Sequence, residues 1–178
     1  MMRVIPFVIF LCLSAALAVL LLYRVSNDAP SDADKPFPAL RLMSLDGKTA
    51  WKQDALQGRV TIVNFYASWC SPCALEMPEL VALKKQYPKV HIAGVAWNDE
   101  AATLQKWLKQ HGNPFDSLWL DKNGDATIDL GIKGIPETIV VDGKGVVRAR
   151  LAAPLTQEMR NGEFGQLIAT LQGDVDAQ

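Results

Sequence analysis

Cysteine is scarce in this chain. There are three in 178 residues, and one of them, Cys12, lies in an apolar run near the start. That excludes a small scaffold stapled by disulfides. With no second cysteine pair, a structural zinc site lacks its four ligands. The two histidines do not supply them: His91 falls in a strand pattern, and His111 falls at a helix end, where it suits the dipole. The residue directly after Cys73 is Ala74 rather than histidine, so the attachment motif of c-type haem is absent, and no motif implies any other cofactor. Charge of one sign is also missing. Eighteen basic and 19 acidic side chains leave a formal net charge of −1, with no Lys/Arg run, so nothing suggests a nucleic-acid partner. Repeats and low-complexity tracts are absent too. A chain this short, without them, reads as one soluble domain plus whatever precedes it.

What precedes it is a long apolar run. Val4–Leu22 is 19 residues without a charge, and 17 of them are apolar. At 1.5 Å rise per residue such a helix spans about 28 Å, close to a bilayer core. A cleaved signal peptide is the competing reading, and Ala16-Leu17-Ala18 fits a cleavage motif. Val19–Leu22 continues the run past it, which favours an uncleaved anchor over residues 1–23. Arg3 and the free amine precede the span. Arg24 follows it, diluted by Asp28, Asp32 and Asp34, which places the N-terminus in the cytoplasm and the domain outside. Residues 24–35 hold little to bury and read as a tether. The folded domain is expected over 36–178.

Within that domain, Val60–Ala67 is β-branched and nearly all apolar, the pattern of a central strand buried on both faces. A helix is expected over Ala74–Tyr87, with Pro78 predicting a kink because it removes a backbone donor. Val90–Trp97 reads as a second central strand. Asn98 or Asp99 is placed to cap a helix ending near Gly112. Leu118–Leu120 is a short strand, and Thr138–Val141 with Val146–Leu151 flanks the hairpin signal Asp142-Gly-Lys-Gly145. A last helix is expected over Glu163–Leu171, and Leu42–Trp51 is expected to add an N-terminal hairpin. The order gives an α/β domain with a central mixed sheet covered on both sides.

The chemistry concentrates at Trp69-Cys70-Ser71-Pro72-Cys73, where a buried strand becomes a helix. Two cysteines three apart at a helix start can close a short disulfide ring. Free backbone N–H groups and the helix dipole favour a thiolate on the first, and the thiolate is the attacking species in disulfide exchange. Cys70 is therefore the expected nucleophile. Cys73, one turn in and more buried, is the expected resolver. Asp121-Lys-Asn-Gly-Asp125 tempts as a calcium loop, but Ala126 stands where glycine is needed and Ile132 where Glu is needed, so a turn is expected. Trp97, Trp107 and Trp119 are expected to pack in the core.

Four segments together resemble the thioredoxin superfamily, and within it the membrane-anchored DsbE/CcmG-type branch. They are Asn64-Phe-Tyr-Ala-Ser-Trp-Cys-Ser-Pro-Cys73, Gly94-Val-Ala-Trp-Asn-Asp99, Gly112-Asn-Pro-Phe115 and Gly131-Ile-Lys-Gly-Ile-Pro-Glu-Thr138. The resemblance implies a thioredoxin-like fold and a cis peptide bond before Pro136, beside the cysteines. It implies a client-binding surface at Trp69, Ile135 and Thr138. Ordinary thioredoxin carries a buried acid six residues before its first cysteine. This chain has Asn64 there, so the proton acceptor for Cys73 must come from elsewhere, and Glu76 and Glu137 match the branch's acidic residues. A solvated carboxylate at a helix start is the plainer reading of Glu76.

The resemblance further implies a monomeric thiol:disulfide oxidoreductase, anchored in the bacterial inner membrane with its domain in the periplasm. It would keep apocytochrome c, or a thiol protein of cytochrome c maturation, reduced, with electrons from a DsbD/CcdA-type membrane donor. A general TlpA/ResA-like reductase and a non-catalytic client-binding module are the alternatives. A thiol peroxidase would need Pro and Thr where Val63 and Ala67 stand.

Overall fold

The computed structural model describes residue 10, residues 12–19 and residues 34–177. Two compact units separate, one within Met1–Asp32 and one within Ala33–Gln178. Among the described residues, no helix is long and apolar enough to cross a membrane. Most of the span expected at Val4–Leu22 lies outside them, as does most of the tether; the described part, Phe10 and 12–19, is helical.

The second unit is built on six strands: β1 (Met43–Ser44), β2 (Thr61–Tyr66), β3 (His91–Trp97), β4 (Ser117–Asp121), β5 (Glu137–Val141) and β6 (Val147–Leu151). They form one mixed sheet in the order β1-β4-β3-β2-β5-β6. β2, β3 and β4 are parallel, while β1, β5 and β6 pair antiparallel to their neighbours. All six residues of β2 are buried, as its unbroken apolar run requires of a central strand. The helices are α1 (Ser71–Gln86), α2 (Ala101–His111), α3 (Asp125–Asp129), α4 (Gln157–Asn161) and α5 (Glu163–Asp176), with a 3-10 turn at Gln53–Leu56.

The period-two alternation of the strands divides the core into two layers. Ile62 and Tyr66 of β2, Ile92 of β3 and Val140 of β5 face α1, α2 and α5, packing on Met77, Leu80, Leu83, Trp107 and Ile168. Val63, Phe65, Val95 and Ile139 face the other way, onto Phe37, Leu42, Leu56, Ala126 and Leu130. Full burial of each large side chain is worth about 1.5–3 kcal/mol, so Met77, Leu80 and Leu83 alone fix α1 to the sheet. The sheet is covered on both sides as expected, but the second cover is loops and short turns rather than long helices.

Several local expectations change. α1 starts at Ser71, inside the cysteine motif, and runs without a break through Pro78. α2 is capped by neither Asn98 nor Asp99: its N-cap is Glu100, with no side-chain bond, because the Asp99 carboxylate is engaged elsewhere. α5 continues to Asp176, and the short α4, with Thr156 accepting from Met159 N–H, precedes it. The N-terminal hairpin is reduced to a two-residue strand with one bridge, Met43 to Ala50. The acidic loop is a turn leading into α3, whose first N–H groups, at Ala126 and Thr127, donate to Asp121. Trp107 is buried against Tyr66, and Trp119 is half-buried on Trp51. Trp97 packs on Trp69 instead.

Candidate active site

β2 ends at Tyr66, and the chain turns through Ala67, Ser68 and Trp69 into α1. Cys70 is the N-cap of α1, in extended backbone, and Pro72 fills the first turn, where its missing N–H costs nothing. Cys70 and Cys73 are joined, with S–S 1.99 Å and Cα–Cα 5.3 Å. The Cys73 backbone N–H donates to Cys70 Sγ across 3.2 Å. A helix start thus aims an unpaired donor at the first sulfur, the arrangement that holds a thiolate there. Cys70 is 5% exposed and Cys73 fully buried. Of the two, Cys70 is the more accessible.

The second wall of the site comes from the segment before β5. Ile135–Pro136 is a cis peptide bond, and the Ile135 carbonyl oxygen lies 3.7 Å from Cys70 Sγ. Pro72, Ile135, Pro136, Ala152, Ala153 and Pro154 line a shallow, mostly apolar groove beside the sulfurs. Trp69, just before Cys70, is exposed. Its indole N–H donates to the Asn98 carbonyl at 3.1 Å, and its ring meets Trp97 edge-on. Leu75 is exposed on the first turns of α1.

Close to the cysteines lies a buried polar layer, Asn64, Glu76 and Thr138. Glu76 is only 1% exposed, so it is not the solvated helix-start carboxylate that its position alone would allow. Its carboxylate accepts from Asn64 Nδ2 at 2.9 Å and from the Leu155 backbone N–H at 3.0 Å. Burial pushes its pKa above the ordinary value, and these two donors oppose that without cancelling it. Thr138, expected on the client side, is fully buried; it touches the cluster by accepting from Asn64 Nδ2 at 3.0 Å.

Glu137 lies elsewhere. It is in register with Phe65 of β2, one residue out of phase with Asn64 and Thr138, so its side chain points to the opposite face of the sheet. There Arg150 Nε and Nη2 donate to one of its oxygens at 2.8 and 2.6 Å, with both side chains nearly buried. The structure brings Cys70, Cys73, Ile135, Pro136, Glu76, Asn64 and Thr138 together; Glu137 borders the groove after Pro136, but its carboxylate is turned away onto Arg150. Two contributors are not legible in the sequence as part of the site. Asp99 and Leu155 act through contacts made 31 and 79 residues away. Among the described residues no cluster could hold a metal ion.

A thioredoxin-like sheet with a vicinal cysteine pair at a helix start and a cis-proline against it defines a thiol:disulfide oxidoreductase. Comparison with known proteins agrees. The AhpC/TSA family model matches residues 33–150. The thiol:disulfide interchange protein HelX of Rhodobacter capsulatus is 38% identical over 138 residues, covering 77% of each chain. The thiol:disulfide interchange protein DsbE of Escherichia coli K12 is 35% identical over 170 residues, covering 92% of this chain and 91% of that one. A crystal structure of a putative DsbE from Chlorobium tepidum shares the fold, with a TM-score of 0.68 over 79% of this chain and 98% of that one, at 23% identity. The chain belongs to the AhpC/TSA family, among its DsbE- and HelX-type thiol:disulfide interchange proteins.

Proposed function

We propose that this chain is a membrane-tethered disulfide reductase of the bacterial periplasm, with residues 1–23 as anchor, 24–35 as tether and 36–178 as the catalytic domain. The uncharged run Val4–Leu22 supports the anchor. A reductant in an oxidising compartment needs its electron donor close by, which is what an anchor supplies. The client would be apocytochrome c or a thiol protein of cytochrome c maturation, and the donor a DsbD/CcdA-type membrane protein; the likeness to DsbE and HelX supports both. The domain acts as a monomer.

The observation that carries the chemistry is the Cys73 N–H aimed at Cys70 Sγ. The reduced enzyme attacks a client disulfide with the Cys70 thiolate, forming a mixed disulfide and expelling one client thiolate. Cys73 then gives its proton to Glu76, and its thiolate attacks Cys70 Sγ. The Cys70–Cys73 disulfide forms, and the second client sulfur leaves as a thiolate that takes up a proton. Two electrons pass to the client. Glu76 is the better acceptor than Glu137, because it lies on the helix that carries Cys73 and, among the described residues, has no cationic partner. Trp69 and the Ile135–Pro136 segment flank the client, and Ile135 O, so close to Cys70 Sγ, is placed to meet its backbone.

Trapping tests this. Cys73→Ser, mixed with an oxidised Cys-x-x-Cys-His peptide of an apocytochrome, should accumulate a disulfide-linked adduct, and Cys70→Ser should accumulate none. Alkylation of the reduced enzyme should modify Cys70 first, with a midpoint below the free-thiol value of about 8.5. Adducts on Cys70→Ser, or equal alkylation of both thiols, would refute the assignment.

A further inference from the structure

Asn64 ties together three parts of the site. It lies on β2, is fully buried, and donates from one atom, Nδ2, both to Glu76 on α1 and to Thr138 on β5. Thr138 is two residues beyond the cis-proline. The other end of the amide, Oδ1, is buried without a hydrogen-bond partner. A bare buried carbonyl costs about 1–3 kcal/mol, so its presence beside a titratable carboxyl group calls for a reason.

The reason lies in the two ends of the amide, one a double donor and the other an acceptor. When Glu76 is ionised it needs a donor, and Nδ2 faces it. When Glu76 is protonated its O–H needs an acceptor. Turning the amide over then presents Oδ1 to Glu76 and to Thr138, whose hydroxyl rotates to donate. Each proton state of Glu76 has a matching amide orientation, and in each orientation one end is bonded twice while the other is bare. Neither an apolar side chain nor a second carboxylate at this position could serve both states. The other bond to Glu76 comes from a neutral donor, the Leu155 N–H in the segment after β6. No charged neighbour shifts its titration.

We propose that Asn64 is a positioning residue whose amide turns over with each protonation and deprotonation of Glu76. It keeps that carboxyl group bonded in both states, so that Glu76 can take the Cys73 proton and give it up again. This rests on the reading of Glu76 as the proton acceptor. Asn64 touches no reacting atom and acts only through Glu76.

The experiment is an NMR titration of the oxidised full-length protein, in which the thiols do not titrate. It follows the Glu76 side-chain carboxyl carbon and the Asn64 side-chain amide. The amide resonance of the wild type should shift with the same midpoint as Glu76. Asn64→Leu should raise the Glu76 midpoint by about one unit, a ten-fold change in proton affinity, because the carboxylate loses its donor. Asn64→Asp, which keeps size and shape, should replace the single transition with two coupled ones. The pH profile of the resolving step in reduced enzyme should move with the Glu76 midpoint in both variants. An Asn64 amide that does not respond to Glu76, or an unmoved midpoint in the variants, overturns the proposal. If Asn64→Leu does not fold, Asn64→Asp alone decides between these outcomes. A Glu76→Gln enzyme with an unaltered resolving profile would instead overturn the premise, whatever the midpoints do.

Discussion

Asp99 holds Ser68 by two hydrogen bonds, one from the backbone N–H at 2.5 Å and one from the hydroxyl at 3.0 Å. The same carboxylate takes the Glu100 N–H at 2.7 Å. The turn that aims Cys70 is therefore pinned to the loop after β3, and the Trp69 indole N–H on Asn98 O is a second latch between the same two loops. Asn98 itself lies in the left-handed region, at φ 46°, which Asn tolerates better than most residues.

Removing the first latch should loosen the cysteine turn. Asp99→Ala is expected to cost about 1–3 kcal/mol of stability by leaving three donors short of an acceptor. It should also slow disulfide exchange, while Asp99→Asn, which keeps one acceptor, should lose less of both. Urea unfolding and an exchange rate with a model disulfide check this. Exchange at the wild-type rate in Asp99→Ala would mean that the turn holds without Asp99.

Glu137 and Glu76 should separate cleanly. Breaking a buried ion pair by removing one partner costs about 3–5 kcal/mol, because the other charge is left uncompensated. Glu137→Ala removes the two short bonds that Arg150 donates to this carboxylate, while Arg150 keeps its bonds to Leu130 O at 3.0 Å. The expected outcome is a large loss of stability with an unmoved pH profile of the resolving step. A shift of that profile in a folded Glu137 variant would return Glu137 to the chemistry.

These two acids show where the sequence stops being readable. Both are near the motif, and nothing local ranks them. The ranking depends on strand phase: Glu137 pairs with Phe65 and so faces away, whereas Asn64 and Thr138 share the cysteine face. Register is set by long-range pairing, so a single sequence does not reveal it. β2 is legible because its apolar run has only one use, and the cysteine turn because its spacing is chemical. Asp99 reads as a helix cap because its residue type suits one; the donors on Ser68 that claim it instead come from 31 residues earlier. α4 leaves no mark on the sequence because Gln157–Asn161 is a short segment with no fully buried residue and so carries no periodicity.

Gly94 tests the packing behind the site. It is paired with Asn64 on the neighbouring strand, and a methyl group on it would lie 2.8 Å from the Phe115 ring. Phe115 in turn stacks on Tyr66 with ring centroids 4.8 Å apart. Gly94→Ala must push this pair aside, at about 1–3 kcal/mol. Coupling Gly94→Ala with Phe115→Leu should recover part of the loss, since the smaller side chain vacates the space. Denaturant melts of the two single variants and the double variant give the coupling energy, and simple additivity would refute the contact.

Glu76 makes a prediction about stability as well as rate. Its folded-state pKa is raised above the ordinary value of 4.5 by burial, so the folded protein binds this proton more tightly than the unfolded chain does. Between the unfolded and the folded pKa the native state carries more protons, and stability falls as pH rises. The cost of the buried charge is absent below the unfolded pKa, grows across that window, and is complete above the folded pKa. Glu76→Gln removes the titration but keeps a carbonyl to accept from Asn64. Its own penalty, the lost second acceptor for Leu155 N–H, does not vary with pH. The stability of the wild type relative to Glu76→Gln should therefore be greatest in acid and decline as pH rises past about 4.5, reaching a plateau above the folded pKa. Urea titrations of both oxidised proteins from pH 4 upward measure it. A difference that grows with pH would mean that the carboxyl group is held below its ordinary value, and that Asn64 and Leu155 outweigh burial.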